Sequence, residues 1–137
     1  MRKFVVGFLL CVWCSVSDAV PARVGYIVDG DTFAATVKLD GGVDVSVRVR
    51  IRNIDTPEIH GDCEYEREMA ARARERLGQL IPTGTTVNLD NIKDDKYLGR
   101  IDANVTDSHG RDIGDVMIHE KLARRYNGGR RKPWCER

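Results

Sequence analysis

The sequence has little of what marks several common classes of protein. Its 137 residues include four cysteines, three histidines and few aromatic residues (7%), and the formal net charge is only +1. No spacing of cysteine and histidine fits a zinc site. The overall charge gives no support for nucleic-acid binding, so only local clusters could provide it. There is no internal repeat, linker or low-complexity segment, and the length suits one domain with a real core, which we place at residues 20–137.

The first residues have the pattern of a secretory signal peptide. Arg2 and Lys3 precede an apolar run over residues 4–14, which is too short to span a bilayer, and small residues precede a cleavage position after Ala19. We therefore expect residues 1–19 to be removed and the protein to be exported, to the periplasm or out of the cell, without membrane association. A buried N-terminal helix or strand is the alternative. Cleavage would remove Arg2, Lys3 and Asp18, leaving 20 basic and 20 acidic residues.

Two cysteines, Cys63 and Cys135, lie outside this leader. An exported protein meets an oxidising compartment, so we predict that they form a disulfide. The bond would close a loop of about 72 residues, which is worth roughly 4 kcal/mol of stability from loop-closure entropy. Two free buried thiols are the alternative.

Alternating apolar residues predict three consecutive antiparallel strands in the first part of the chain. The first strand, over residues 24–28, leads into the turn sequence DGDT at residues 29–32. The second strand, over residues 33–39, leads into the turn sequence DGG at residues 40–42. The third places valines on one face and arginines, among them Arg50, on the other.

The third strand breaks its alternation before Ile54. If Ile51 and Ile54 both belong to the core, one extra residue must be absorbed at Arg52–Asn53, as a β-bulge or a bend would do. That irregularity would place Asp55 on the same side of the chain as Arg50.

A helix, two strands and a second short helix are predicted next. We expect Asp62 to cap the first helix and Pro82 to end it. The core face of this helix is predicted to consist of Tyr65, Met69, Ala73, Leu77 and Leu80. Residues 87–89 and 101–105 read as a fourth and a fifth strand around a polar turn at residues 93–96, and Asp112 is expected to cap a helix that contains Ile113 and Leu122. This order predicts a mainly β, α+β fold, a five-stranded OB-fold barrel with two to three helices; an open α+β sheet is the alternative.

Carboxylates and arginines are the candidates for chemistry. The carboxylates lie at the ends of the first and third strands, which can be adjacent in such a barrel: Asp29, Asp31, Asp55 and Glu58. Without lysine partners they would repel one another unless a cation lay between them, and hard oxygen ligands suit Ca²⁺ or Mg²⁺. Arg50 and Arg100 could then bind a phosphodiester, and Glu58 could act on water as a general base. Surface ion pairs on a passive binding barrel are the alternative, and we expect the three histidines to face solvent.

Three motifs, in this order, resemble the staphylococcal-nuclease-like (thermonuclease) family: DGDT at residues 29–32, RIRNIDTPE at 50–58 and DKYLGR at 95–100. The resemblance covers nearly the whole chain after the leader. It implies an OB-fold nuclease that hydrolyses DNA and RNA and leaves 3′-phosphates; we expect a monomer that prefers single strands. The resemblance implies Ca²⁺ bound by Asp31, Asp55 and the backbone carbonyl of Thr56, phosphate binding by Arg50 and Arg100, general-base catalysis by Glu58, and substrate contacts by Lys96, Tyr97 and Tyr126.

The chain departs from the family pattern in two places. DKYGR of the family is one residue longer here, and we expect a bulge at Gly99 to accommodate the extra Leu98. Asp102 stands where the family usually has an aliphatic residue. The cysteine pair and the GGRRKPWC tail resemble exported variants found in Gram-negative bacteria.

Two other functions stay open at this point. A catalytically inactive OB-fold module could bind single-stranded nucleic acid, although such barrels usually carry aromatic platforms on their strands. A secreted structural module stabilised by Ca²⁺ would need neither Arg50 nor Arg100.

Overall fold

Five strands close into a barrel in the computed structural model, which describes residues 18–136. The elements in chain order are β1 (Val20–Asp29), β2 (Thr32–Lys38), β3 (Asp44–Ile51), β4 (Ile54–Asp55), α1 (Glu64–Leu80), β5 (Thr86–Asp94), β6 (Arg100–Thr106), α2 (Ile113–His119) and β7 (Arg124–Arg125). The short strands β4 and β7 pair with each other outside the barrel. The predicted OB-fold barrel with two helices is confirmed.

The barrel order is β1-β2-β3-β6-β5, and β5 pairs back with β1. β3 and β6 pair in parallel, with Arg48 opposite Arg100 and Arg50 opposite Asp102. β2 lies between β1 and β3, so the prediction that the first and third strands are neighbours is wrong. The reason is that short turns pair consecutive strands with each other. Asp31 and Glu58 nevertheless line the same pocket. The turn after β1, which contains Asp31, leads directly into β2, and Thr32 of β2 lies opposite Arg50 of β3.

The barrel interior is filled by apolar side chains from every barrel strand and from both helices. The largest of them with almost no exposed surface are Phe33, Ile51, Ile54, Leu77, Ile81, Leu89, Ile113 and Met117. Each such side chain contributes roughly 1.5–3 kcal/mol when it leaves water. α1 packs against β1, so the helix lies beside the turn that follows this strand.

The buried face of α1 differs from the predicted one at its first turns. Ala73, Leu77 and Leu80 are buried as expected, but Tyr65 is 56% exposed and Met69 is only half-buried. At helical spacing before Leu77, the buried positions are Ala70 and Glu66. Glu66 tolerates this burial because its carboxylate accepts a backbone hydrogen bond.

The predicted cap of α1 is also wrong. The N-cap residue is Cys63, in an extended conformation and without a side-chain cap hydrogen bond, so Asp62 lies outside the helix. Cys63 is bonded to Cys135, which fixes the start of the helix by a covalent link instead of a capping side chain. The disulfide itself is confirmed, and it joins residues separated by 72 positions.

The predicted cap of α2 is correct, but the helix is shorter than expected. Asp112 accepts a hydrogen bond from the backbone N–H of Asp115 at 2.9 Å. The helix ends at His119, and Lys121 has a positive φ of 61°, which no helix can continue through. Leu122 therefore packs against the core from the loop after α2.

The predicted signal peptide lies outside the described residues, apart from residues 18 and 19. Within the part that the structure describes, no helix combines the length and the apolar character needed to cross a membrane.

Candidate active site

The turn between β1 and β2 places Gly30, the residue before Asp31, against α1. The Asp29 carboxylate accepts a hydrogen bond from the Asp31 N–H at 3.0 Å, which tightens the turn. A Cβ on Gly30 would lie 2.6 Å from the Cβ of Ala73 and 3.2 Å from a methyl carbon of Thr56. Only glycine allows this approach, and it brings the turn, the helix and the loop that contains Thr56 together.

A bend after β3 brings the second motif to the same place. Asn53 has a positive φ of 63°, and Ile51 and Ile54 on either side are both 1% exposed. The predicted irregularity is confirmed. Across this bend the Arg50 guanidinium donates a hydrogen bond to the carbonyl of Ile54 at 3.1 Å and lies 3.7 Å from the Asp31 carboxylate.

Burial makes Asp31 an unusually weak acid. Desolvation first, and then the hydrogen bond and the charge of the adjacent Asp29, raise its pKa from 3.8 to about 6. The charge of Arg50 and a hydrogen bond from the Thr32 hydroxyl oppose this rise. The charge of Arg50 therefore does not outweigh burial, although a metal ligand must be ionised.

The end of β4 and the loop after it hold three predicted site residues that differ in burial. Asp55 and Thr56 are 3% and 2% exposed, whereas the Glu58 side chain is 54% exposed. The indole N–H of Trp134 donates to Asp55 Oδ2 at 3.3 Å. Arg131 forms ion pairs with Asp55 and Glu58 and donates a hydrogen bond to the Thr56 carbonyl at 3.1 Å.

Glu66 holds this loop from below. Its carboxylate accepts a hydrogen bond from the backbone N–H of Glu58 at 3.2 Å. Glu66 therefore fixes the position of the Glu58 backbone relative to α1.

The turn before β6 places the third motif. β5 continues through Asp94, so the predicted polar turn lies at residues 95–99 and not at 93–96. Leu98 is fully exposed, Gly99 has a positive φ of 77°, and the Arg100 N–H donates to the Tyr97 carbonyl at 3.2 Å. The extra residue is thus absorbed in a turn, and the bulge that we expected at Gly99 within the strand is wrong. A turn accepts an added residue because its tip faces solvent.

Arg100 is held by its neighbours. Its guanidinium pairs with Asp95 and lies 4.3 Å from the centre of the Tyr97 ring, while the Lys96 ammonium lies 5.1 Å from the same ring. Burial alone would raise the pKa of Asp95, but the hydrogen bond and charge of Arg100 outweigh it and lower this pKa. Burial, and then the Asp95 charge, raise the pKa of Asp102, whose Oδ1 is buried without a hydrogen-bond partner.

These groups meet at one open pocket with a volume of about 390 Å³. It is lined by seven of the residues predicted for catalysis, metal binding or substrate contact: Asp31, Arg50, Glu58, Lys96, Tyr97, Arg100 and Tyr126. Asp55 and Thr56 do not line it. Arg131 lines the pocket and contacts both, so its guanidinium covers them.

Sequence reasoning missed four residues of this site: Asp95, Asp102, Arg131 and Trp134. Asp95 and Asp102 flank the predicted Arg100, and the outward alternation of β6 already placed Asp102 on the side of Arg100. Arg131 and Trp134 belong to the basic tail, where no periodic pattern shows which side chain turns inward.

Oxygen donors suited to calcium are present at the predicted positions. Asp55 Oδ1 is buried, and its ion-pair partner, Arg131, also contacts the Thr56 carbonyl. This spot therefore attracts positive charge, and a carbonyl with the Asp31 and Asp55 carboxylates fits a hard cation. Between residues 18 and 136 no three His, Cys, Asp or Glu side chains gather as a metal cluster. The expected calcium ligands therefore have to include the Thr56 carbonyl. The three histidines are exposed, as predicted.

Comparison with protein families gives a match to the staphylococcal nuclease homologue family over residues 48–134. The match includes Arg50, Asp55, Glu58 and Arg100, and Asp31 precedes it. A search of curated proteins finds no match to the chain. Because the matched region covers more than half of the sequence, the chain belongs to the staphylococcal nuclease homologues, a family with a nuclease-like fold whose members generally hydrolyse nucleic acids.

Proposed function

We propose that the chain is an exported, calcium-dependent nuclease that hydrolyses phosphodiester bonds in DNA and RNA and leaves 3′-phosphates. The observation that carries this proposal is the convergence of two carboxylates and two arginines, from four separate segments, at one pocket: Asp31, Arg50, Glu58 and Arg100. Arginines attract the anionic backbone, and carboxylates retain a cation beside it. A surface that only binds nucleic acid would need the arginines but not the carboxylates.

Asp31, Asp55 and the Thr56 carbonyl would hold the calcium ion. When bound, the ion supplies Lewis-acid polarisation of a phosphoryl oxygen. Arg50 lies 3.7 Å from Asp31, so a phosphate beside that carboxylate would also be within reach of the guanidinium. The role of Arg50 is to bind a phosphate oxygen and to stabilise the charge that develops there.

Glu58 is suited to act as the general base. Its side chain reaches the pocket and is half exposed, so a water molecule can approach it, and Glu66 holds its backbone. In the reaction, Glu58 takes a proton from water, the water oxygen bonds to phosphorus, the bond from phosphorus to the 5′ oxygen breaks, and the released 5′ oxygen takes up a proton from solvent. Arg100, held beside Asp95, binds a second phosphate oxygen, and the phosphate stays on the 3′ side.

The rim of the pocket suits flexible substrates. Tyr97 is 54% exposed, Tyr126 also lines the pocket, and Lys96 provides a charge for a terminal phosphate. Aromatic rings stack on bases only when these are free of a duplex, which supports a preference for single strands. All these residues come from one chain, and we expect a monomer to be active.

Export is supported by two features. Residues 1–19 have the pattern of a signal peptide, and β1 begins at Val20, directly after the expected cleavage position. The Cys63–Cys135 disulfide is the bond expected of a protein that works in the periplasm or outside the cell.

The test is hydrolysis of labelled single-stranded DNA and RNA by the protein that starts at Val20, with CaCl₂ and then with EGTA. We expect cleavage only with calcium, and products whose ends become substrates for polymerase extension only after phosphatase removes a 3′-phosphate. The double variant Arg50→Ala, Glu58→Gln should lose at least about 1,000-fold in rate, because it removes both charge stabilisation and the base.

Arg48→Ala is the matched control for this variant. Arg48 lies on the same face of β3 as Arg50 but does not line the pocket, so its removal deletes an equal charge from the same strand. Calcium-independent cleavage, or a double variant as fast as Arg48→Ala, would refute the proposal. Tight binding of single-stranded DNA without any cleavage would identify the inactive binding module instead.

A further inference from the structure

Arg131 contacts the three groups that the proposed function uses at the end of β4 and in the loop after it. Its guanidinium forms ion pairs with Asp55 Oδ1 and Glu58 Oε1 and donates a hydrogen bond to the Thr56 carbonyl at 3.1 Å. Two of these oxygens, from Asp55 and Thr56, belong to the expected calcium ligands. A guanidinium therefore occupies the surroundings of the ion, with the same sign of charge.

The tail that follows Arg131 is fastened beside the site. Trp134 donates its indole N–H to Asp55 Oδ2 at 3.3 Å and is only 8% exposed. The Arg124 guanidinium stacks 3.7 Å from the centre of the Trp134 ring and donates to the Pro133 carbonyl at 3.0 Å. Cys135, the next residue, is bonded to Cys63 at the start of α1. Arg131 is thus kept near the carboxylates by structure on its C-terminal side.

Calcium and Arg131 cannot both hold these oxygens without strong repulsion. The contacts with Asp55 and Thr56 lie where charges interact more strongly than in water, since these two residues are almost inaccessible, whereas the contact with Glu58 is exposed. Without a cation, Asp55 would be a buried charge with no ionic partner, which is costly. Arg131 removes that cost when no metal is bound and opposes metal when it arrives.

We propose that Arg131 is a built-in counter-cation of the metal site, which neutralises Asp55 and Glu58 in the calcium-free protein and is displaced when calcium binds. This role rests on the proposed function, because that function supplies the ion. It gives Arg131 a task beyond the reaction itself: it keeps the protein folded before calcium is met and sets the calcium concentration at which the site fills.

The experiment is isothermal titration of the oxidised protein that starts at Val20 with CaCl₂, without substrate. Arg131→Gln keeps a hydrogen-bond donor for the Thr56 carbonyl but removes the charge. It should bind calcium at least about tenfold more tightly than the wild type, because no internal cation competes. Arg130→Ala is the matched control: Arg130 is the adjacent arginine and its side chain is exposed, so its affinity should stay within about twofold of the wild type.

Thermal unfolding gives a second readout that does not depend on activity. In EGTA, Arg131→Gln should unfold at a lower temperature than Arg130→Ala, and in CaCl₂ the difference should disappear. If Arg131→Gln is folded only with calcium, the same conclusion follows, because calcium then replaces the missing charge.

The outcomes separate this inference from the function on which it rests. If the wild type binds calcium and Arg131→Gln binds it equally or more weakly, Arg131 is not a competitor and the inference is refuted. A wild type that binds no calcium while Arg131→Gln does would support it. If neither protein binds calcium and the wild type cleaves no DNA, both the inference and the proposed function are wrong.

Discussion

Calcium affinity should fall steeply below pH 6, because Asp31 must lose its proton before it can bind the ion. Its pKa of about 6 lies well above the ordinary 3.8, chiefly because the side chain is buried. At pH 7 most of the protein carries the carboxylate, whereas at pH 5 only about one molecule in eleven does. The apparent dissociation constant should therefore rise about tenfold between these two pH values.

The measurement is calcium titration at pH 7, 6 and 5, repeated in two buffers with different enthalpies of protonation. Near pH 6, calcium binding should release about half a proton from Asp31, and at pH 7.5 almost none. Asp29→Asn is an informative variant, because the amide oxygen can still accept the hydrogen bond from Asp31 N–H while the negative charge is removed. It should move the midpoint of the pH dependence to lower pH.

Stability without calcium should change in the opposite direction. The native state holds the Asp31 proton more tightly than the unfolded state, so this group makes the protein less stable as pH rises from 3.8 to about 6. The full cost at neutral pH is about 3 kcal/mol of the free energy of unfolding.

The calcium titration decides the matter. A calcium affinity that changes less than twofold between pH 7 and pH 5, with the protein folded at both, would show that burial does not hold this proton and would refute the reasoning.

Three further changes test the architecture by urea unfolding at pH 7. Asn53→Ala should cost about 1 kcal/mol because alanine disfavours a positive φ, whereas Asn53→Gly should be nearly neutral; equal losses would show that the amide side chain, and not the backbone, matters. Replacing Cys63 and Cys135 with serine should cost about 4 kcal/mol for a loop of 72 residues, and a loss below about 1 kcal/mol would contradict this value. Gly30→Ala should cost about 1–3 kcal/mol through its clash with Ala73, and an unchanged midpoint would mean that the turn and helix separate without penalty.

The strands were predictable because a barrel strand has one solvent-exposed face and one face that is buried in the core. Alternation in β3 indicated which side enters the core, and the slip from Ile51 to Ile54 indicated the bend at Asn53. These two signals were sufficient to predict that Arg50 and the residues after the bend share a side. They are local, since each depends only on neighbours along the chain.

The start of α1 could not be found in the same way. Asp62 is a good capping residue by type, but the position of the helix start depends on Cys63, which is bonded to a residue 72 positions later. The predicted face of the helix is wrong at Tyr65, which is exposed, while the adjacent Glu66 is buried. Glu66 is buried because of its hydrogen bond to a loop, and a helical pattern does not include such a bond.

The tail residues of the site were beyond any local pattern. Arg130 and Arg131 are identical neighbours in sequence and both have exposed surface, yet it is Arg131 that pairs with two carboxylates more than seventy positions earlier. What selects Arg131 is the return of the chain from Trp134 and Cys135 across the loop after β4. Tertiary packing and the disulfide determine which arginine contacts the carboxylates, and the periodicity of polar and apolar residues predicts neither of them.

The parallel seam between β3 and β6 has a consequence for how the protein responds to heat. This seam runs only from Arg48 opposite Arg100 to Ile51 opposite Ala103, and it is what brings Arg50 near Arg100. Breathing of this seam would separate the two arginines while the meander and the β5–β6 hairpin stayed intact, and such local opening requires less free energy than global unfolding. Phosphate binding would then fail at temperatures where most of the barrel is still folded, and amide exchange at Arg48 and Arg52, whose N–H groups bond across the seam, would record the opening.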